Sequence, residues 1–121
     1  MKLKYLVLGV ALLAFPRAHA HEAEGPNGGR LVDAKPYHAE LVAKDKAIEI
    51  FLSDGSEKPV NPSGFKGVAI FSLAGKAERI TLVPSERGAL TGVAAAVLPP
   101  NPKGAVQLTA PDGKTATARF D

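Results

Sequence analysis

The 121-residue sequence contains no cysteine and no tryptophan, and it has only five phenylalanines and two tyrosines. Without cysteine the fold can form no disulfide and must be held together by apolar packing alone. The same absence excludes a catalytic thiol nucleophile. Because aromatic side chains are few, we expect a core of valine, isoleucine, leucine, alanine and phenylalanine.

The N-terminal apolar run, residues 5–15, is shorter than the roughly 20 residues that span a bilayer. Lys2 and Lys4 precede this run, and Ala18-His19-Ala20 follows it with small residues at the −3 and −1 positions of a cleavage site. This order predicts a secretory signal peptide over residues 1–20 and a periplasmic, secreted mature protein. A retained N-terminal anchor is the alternative, whereas a lipid anchor on cysteine is excluded.

The excess of basic residues largely belongs to this predicted signal peptide. The whole chain has 15 lysines and arginines against 12 acidic residues, and three of the basic ones, Lys2, Lys4 and Arg17, lie in the first 20 residues. The remainder therefore has equal numbers of both charges. No basic run remains to contact a phosphate backbone, so we expect no nucleic-acid partner.

After residue 20, short β-type runs alternate with turns rich in glycine, proline, aspartate and asparagine. About 100 residues form one domain, and this spacing predicts an antiparallel β-sandwich, Ig-like or Greek-key, of seven to eight strands. We expect a flexible leader at residues 21–29 and the sandwich over 30–121. The predicted strands are 30–34, 37–43, 47–53, 65–73, 77–83, 105–110 and 114–120, with 89–98 as either a strand or a short helix.

The first candidate metal ligand is His21, which becomes the first residue if cleavage follows Ala20. Its α-amine and its imidazole Nδ1 could then chelate one metal ion, because an α-amine gives up its proton to a metal near neutral pH. Two nitrogen donors favour Cu(II), with nickel and zinc behind.

The second candidate is the pair His38 and Glu40. On a strand over 37–43 their side chains point to the same face, and we place that face outward because Tyr37, Ala39 and Leu41 form the more apolar set. An imidazole and a carboxylate side by side form half a site for Zn(II) or Cu(II). Glu22 and Glu24 on the leader could complete it, with the Gly28-Gly29 turn folding the leader back. Solvated surface roles are the alternative for all of these residues.

An enzymatic function is not expected from these patterns. No serine lies in a nucleophile-elbow context, and the chain has no HExxH or CxxC motif. An N-terminal histidine joined by a second histidine also resembles the copper brace of oxidative polysaccharide-cleaving enzymes. The domain is too small and too poor in aromatic residues to offer their substrate platform.

Residues 21–42 carry a resemblance to a bacterial periplasmic pattern, in the segments Gly25-Pro26-Asn27-Gly28-Gly29, Pro36-Tyr37-His38 and Glu40-Leu41-Val42. They resemble small secreted proteins and the N-terminal His-Gly-x-x-Gly-Gly β-domain of periplasmic adaptor subunits of heavy-metal efflux (RND-type) pumps. The resemblance implies a compact β-sandwich and a role in metal delivery. The chain departs from the pattern at Glu24, where a histidine would stand, and it lacks an adaptor's helical hairpin.

Together these patterns predict a periplasmic protein that binds Cu(II) or Zn(II) near His21 and His38, with Glu40, Glu22 and Glu24 as further ligands. Its role would be to buffer the metal or to hand it to an efflux adaptor or another envelope protein. The alternative is a metal-free interaction module of the cell envelope. Neither interpretation includes a membrane span after signal cleavage.

Overall fold

The computed structural model describes residues 23–121, and within them the protein is all-β, with no helix. The predicted signal peptide, His21 and Glu22 lie outside the described residues. The nine strands are β1 (Ala23–Glu24), β2 (Arg30–Ala34), β3 (Tyr37–Lys44), β4 (Ala47–Ser53), β5 (Lys66–Leu73), β6 (Lys76–Pro84), β7 (Leu90–Val93), β8 (Lys103–Thr109) and β9 (Thr115–Phe120).

All nine strands are antiparallel and belong to one sheet in the order β1-β2-β3-β4-β7-β6-β5-β8-β9. This sheet curls into a half-barrel. The all-β prediction is confirmed, but the expected sandwich of seven to eight strands is not what forms. The reason lies in β6, which pairs with β5 along most of its length and with β7 at its end. It thereby joins the two halves into a continuous sheet.

The apolar core fills the concave side of this half-barrel. Along β4 the side chains alternate, so that Ile48, Ile50 and Leu52 are buried while the residues between them are half-exposed. The same period of two holds on β5, β8 and β9, where Phe71 and Phe120 are fully buried. Burial of these side chains is the main source of stability in a protein with no disulfide.

One edge of the half-barrel is closed by side chains. Strand β9 packs against β2, the second strand from the other edge of the sheet. Arg30 spans this seam: its guanidinium donates hydrogen bonds to the carbonyl oxygens of Pro102, at 2.6 Å, and Asp121, at 2.9 Å. It also lies 5.5 Å from the ring centroid of Phe120, within cation–π range. We call this contact set the Arg30 clasp.

No helix found in residues 23–121 has the length and apolarity to cross a membrane.

Candidate functional site

The candidate site is a groove of about 520 Å³ on the outer face of β2, β3 and β4. Its lining includes His38, Leu31 and Phe51 from the strands, and Glu57 and Arg87 from the neighbouring turns. In the strand register, Asp33 pairs with His38 and His38 pairs with Ser53, so these three positions form one row across the sheet. The groove therefore combines an imidazole and carboxylates with a small apolar floor.

Glu40 shares the outer face with His38, as the strand alternation predicts, but its side chain is buried and not exposed as expected. The residue is only 1% exposed. Its carboxylate accepts hydrogen bonds from the backbone N–H of Asn27 (2.9 Å) and of Gly29 (2.8 Å), and from the side-chain amide of Asn27 (2.9 Å). Three donors occupy the carboxylate and a turn covers it, so a metal ion in the groove would have to compete with these hydrogen bonds.

The turn that covers Glu40 is residues 25–29, the Gly-Pro-Asn-Gly-Gly segment. It is closed by hydrogen bonds from the N–H of Gly25 to the carbonyl of Gly29 and from the N–H of Gly28 to the carbonyl of Gly25. A Cβ on Gly25 would lie 2.3 Å from Glu40 Cδ, and one on Gly29 would lie 2.3 Å from the carbonyl oxygen of Leu41. Both glycines are therefore needed for the close approach of the turn to β3.

His38 remains accessible, and its nearest acidic partner is Asp33. The distance from His38 Nε2 to Asp33 Oδ1 is 3.1 Å, and the two side chains are 32% and 40% exposed. The hairpin between β2 and β3 brings them together, because its two-residue turn at Lys35-Pro36 places position 33 opposite position 38. An imidazole nitrogen and a carboxylate oxygen thus face each other on the outer face of the hairpin, where His38 also lines the groove.

The other ring nitrogen of His38 also faces an oxygen atom. Nδ1 lies 3.4 Å from the carbonyl oxygen of Asp54, which follows β4. Since both neighbours are acceptors, a neutral imidazole can donate its single N–H to only one of them. The remaining nitrogen then directs a lone pair at an oxygen atom, an arrangement that a cation between the two would satisfy.

The other predicted ligands have different outcomes. Glu24 is exposed on β1 and borders the groove. His21 and Glu22 lie outside the described residues. Within residues 23–121, no group of three or more histidine, cysteine, aspartate or glutamate residues could hold a metal ion.

Sequence reasoning missed two residues of this region, Asp33 and Asn27. Asp33 could have been found from the sequence, since a two-residue hairpin turn at Lys35-Pro36 fixes which residues of the two strands are opposite. Asn27 gave no such signal, because its contact depends on how the turn folds over Glu40.

Comparisons of the chain with protein families, with curated proteins and with solved structures find no match.

Proposed function

We propose that this protein binds a divalent transition metal, Cu(II) or Zn(II), through His38 and Asp33, outside the cytoplasm. The observation that carries the proposal is the 3.1 Å separation of His38 Nε2 and Asp33 Oδ1, two partly exposed side chains at the groove that His38 lines. Bonds of roughly 2.0–2.2 Å to nitrogen and oxygen at a tetrahedral ion place two ligands roughly 3.3 Å apart. A small adjustment of the two side chains would therefore accommodate the ion.

The orientation of the imidazole supports the same proposal. Metal-bound histidines generally donate their second ring N–H to a carbonyl or carboxylate oxygen, which fixes the ring. His38 Nδ1 has the carbonyl of Asp54 in that position. With Nδ1–H directed at this oxygen, Nε2 presents its lone pair on the side where Asp33 lies.

A third ligand is proposed from the sequence: His21 directly follows the predicted cleavage site and carries an imidazole. Glu22 and Glu24 are the weaker candidates. If export removes residues 1–20, the α-amine of His21 adds a fourth donor, and this nitrogen-rich set favours Cu(II).

The proposed physiological role is to buffer the metal or to deliver it to an efflux system of the envelope. The predicted signal peptide and the resemblance of residues 21–42 to adaptor domains support this role.

The test is titration of the purified protein with Cu(II) and Zn(II), with its first residue established by intact mass. We expect saturable 1:1 binding that His38→Ala abolishes and that Asp33→Asn and His21→Ala each weaken at least tenfold. Glu86→Gln, an exposed turn residue, is the control for loss of one acidic charge and should leave affinity unchanged. Absence of binding at micromolar metal, or unchanged binding in His38→Ala, would refute the proposal.

A second candidate function is a metal-free interaction module. It is favoured by three exposed valines on one side of the sheet and its following loop: Val83, Val93 and Val97 are 53%, 73% and 65% exposed. Exposed apolar residues of this kind are frequent at protein contacts when they are contiguous. If the protein is such a module, His38→Ala should leave partner binding unaltered, whereas Val93→Lys should weaken it.

A further inference from the structure

The outer face of the other half of the sheet has a different chemical character. Strands β6, β5, β8 and β9 bury one set of side chains in the core, and the alternate set points outward. Four outward positions are basic and exposed: Lys66, Arg79, Lys103 and Arg119. We call the outward surface of these four strands the basic face.

The positive charge of the basic face has no counter-charge within it. None of the outward positions on these strands, taken over residues 66–119, is acidic. Among the described residues the four cations form no ion pair. After residue 20 the chain has equal numbers of acidic and basic residues. A face with four basic and no acidic residues therefore means that the two signs of charge are separated on the surface. Unpaired cations that share one surface attract polyanions at short range.

The register orders these cations and their neighbours into rows across the strands. One row reads Arg119, Ala105, Ile70 and Arg79 from β9 to β6. The two arginines are three strand spacings apart, which is about 14 Å along the sheet. Between them the 44%-exposed Ile70 and the small Ala105 leave a shallow apolar strip. The adjacent row supplies hydroxyl, amide and apolar groups: Thr117, Gln107, Val68 and Thr81.

We infer that the basic face binds an anionic polysaccharide, with Arg79 and Arg119 contacting its carboxylate or sulfate groups. The hydroxyl and amide side chains of the adjacent row suit sugar hydroxyls, and Ile70 suits the apolar face of a sugar ring. Single-stranded nucleic acid is disfavoured, because the outward positions of the four strands carry no aromatic ring on which bases could stack.

Two other anionic partners fit this surface less well. A planar bilayer would touch only the crest of the curled sheet, whereas a flexible chain can follow its curvature. An acidic peptide could extend the sheet only at the edge of β9, to one side of the row that joins Arg79 and Arg119, because β5 and β8 are paired on both sides. The inference is independent of the proposed metal site, which lies on the other half of the sheet.

The experiment measures binding of the full protein to alginate, a polyuronate, and to heparin, at low and at physiological salt. The alternative ligands are neutral dextran, poly-glutamate and phosphatidylglycerol vesicles. The charged ligands are compared at equal total charge. We expect binding to the two acidic polysaccharides that weakens as salt increases, and none to dextran. The double variant R79Q/R119Q should lose about tenfold in affinity or more. The matched variant K44Q/K46Q removes two exposed charges at the β3–β4 turn and should change affinity less than about twofold.

Equal losses in R79Q/R119Q and K44Q/K46Q would show attraction by total charge and would overturn the assignment of the face. Failure to bind either acidic polysaccharide at low salt would do the same. Equal or tighter binding to poly-glutamate or to the vesicles would assign the surface to an acidic protein or a membrane and overturn the polysaccharide. Circular dichroism of both double variants checks that the fold is retained. Because these substitutions are solvent-exposed, we expect both variants to keep the wild-type spectrum.

Discussion

The carboxylate of Glu40 holds Asn27 at two points: Oε2 accepts the backbone N–H and Oε1 accepts the side-chain amide, each at 2.9 Å. This contact fixes the segment before β2 onto the middle of β3. It explains why a glutamate on the outer face of the sheet is buried. The Gly-Pro-Asn-Gly-Gly segment is therefore a structural element that covers a charged group.

Removing this carboxylate should lower stability. Glu40→Ala leaves the N–H groups of Asn27 and Gly29 without their acceptor, and hydrogen bonds to charged groups contribute about 1.5–3 kcal/mol each. We expect the free energy of unfolding, measured by urea denaturation, to decrease by about 2–4 kcal/mol. Glu24→Ala, at the exposed position directly before the turn, is the control and should leave the midpoint nearly unchanged. Equal effects of the two substitutions would contradict the structural role given to Glu40.

A methyl group at position 25 should be poorly tolerated. In Gly25→Ala the new Cβ would approach Glu40 Cδ to 2.3 Å, so the turn or the carboxylate must move. Overpacking of this kind costs about 1–3 kcal/mol. Gly55→Ala is the matched control, because nothing lies within 4 Å of the added atom there. Thermal unfolding of the pair followed by circular dichroism should separate them, and similar midpoints would be evidence against the close approach.

The Arg30 clasp should contribute more to stability than an exposed ion pair formed by another arginine, Arg87. Arg30→Gln removes two hydrogen bonds to main-chain carbonyls and the contact with Phe120, and we expect a loss of about 1–3 kcal/mol. Arg87→Gln removes the 2.8 Å ion pair with Glu49, in which the arginine side chain is 74% exposed, and should cost less than about 1 kcal/mol. The reverse order in chemical denaturation would show that the seam is held by other contacts.

Truncation of two neighbouring residues on β5 should lower stability by very different amounts. Phe71 is fully buried and Ile70 is 44% exposed. Phe71→Ala should destabilise the fold by about 3–5 kcal/mol, because it leaves a cavity in the core. Ile70→Ala should have a much smaller effect. Urea denaturation of both variants tests which residues of β5 point outward, and the definition of the basic face depends on this. A large effect of Ile70→Ala would contradict that assignment.

Metal binding, if the proposal holds, should stabilise the folded state by mass action. At a free concentration 100 times the Kd, a ligand that binds only the native state adds about 2.7 kcal/mol to the free energy of unfolding. We expect Cu(II) or Zn(II) to raise the midpoint of thermal unfolding in the wild type. His38→Ala and Asp33→Asn should reduce or remove this increase, whereas Glu86→Gln should keep it. A metal effect that survives in His38→Ala would indicate another site.

Much of the strand pattern was predictable from the sequence, since alternation and turn residues are local signals. The predicted strands 30–34 and 47–53 match the observed bounds, and most others differ by one or two residues. The uncertain segment 89–98 contains only the short strand Leu90–Val93. The curl of one sheet was not predictable, because it depends on β6 pairing with different strands along its length.

The candidate site was predictable only in part, for a similar reason. Alternation correctly placed His38 and Glu40 on one face, opposite Ala39 and Leu41. It could not show that a turn from earlier in the chain buries one of them, because burial of an outward residue depends on tertiary contacts. Asp33 gives no signal of its own in the sequence, because its place beside His38 follows only from the register of the β2–β3 hairpin.

The seam between β2 and β9 determines where the half-barrel can open. Within residues 23–121 it is spanned by side chains, and no backbone ladder joins the two strands. The half-barrel can thus open at this line when the Arg30 clasp is displaced and the side chains packed between β2 and β9 separate, with every strand pair intact. Amide protons on the outward edge of β9 should exchange quickly with solvent, while those of β8, enclosed by partners on both sides, should exchange slowly.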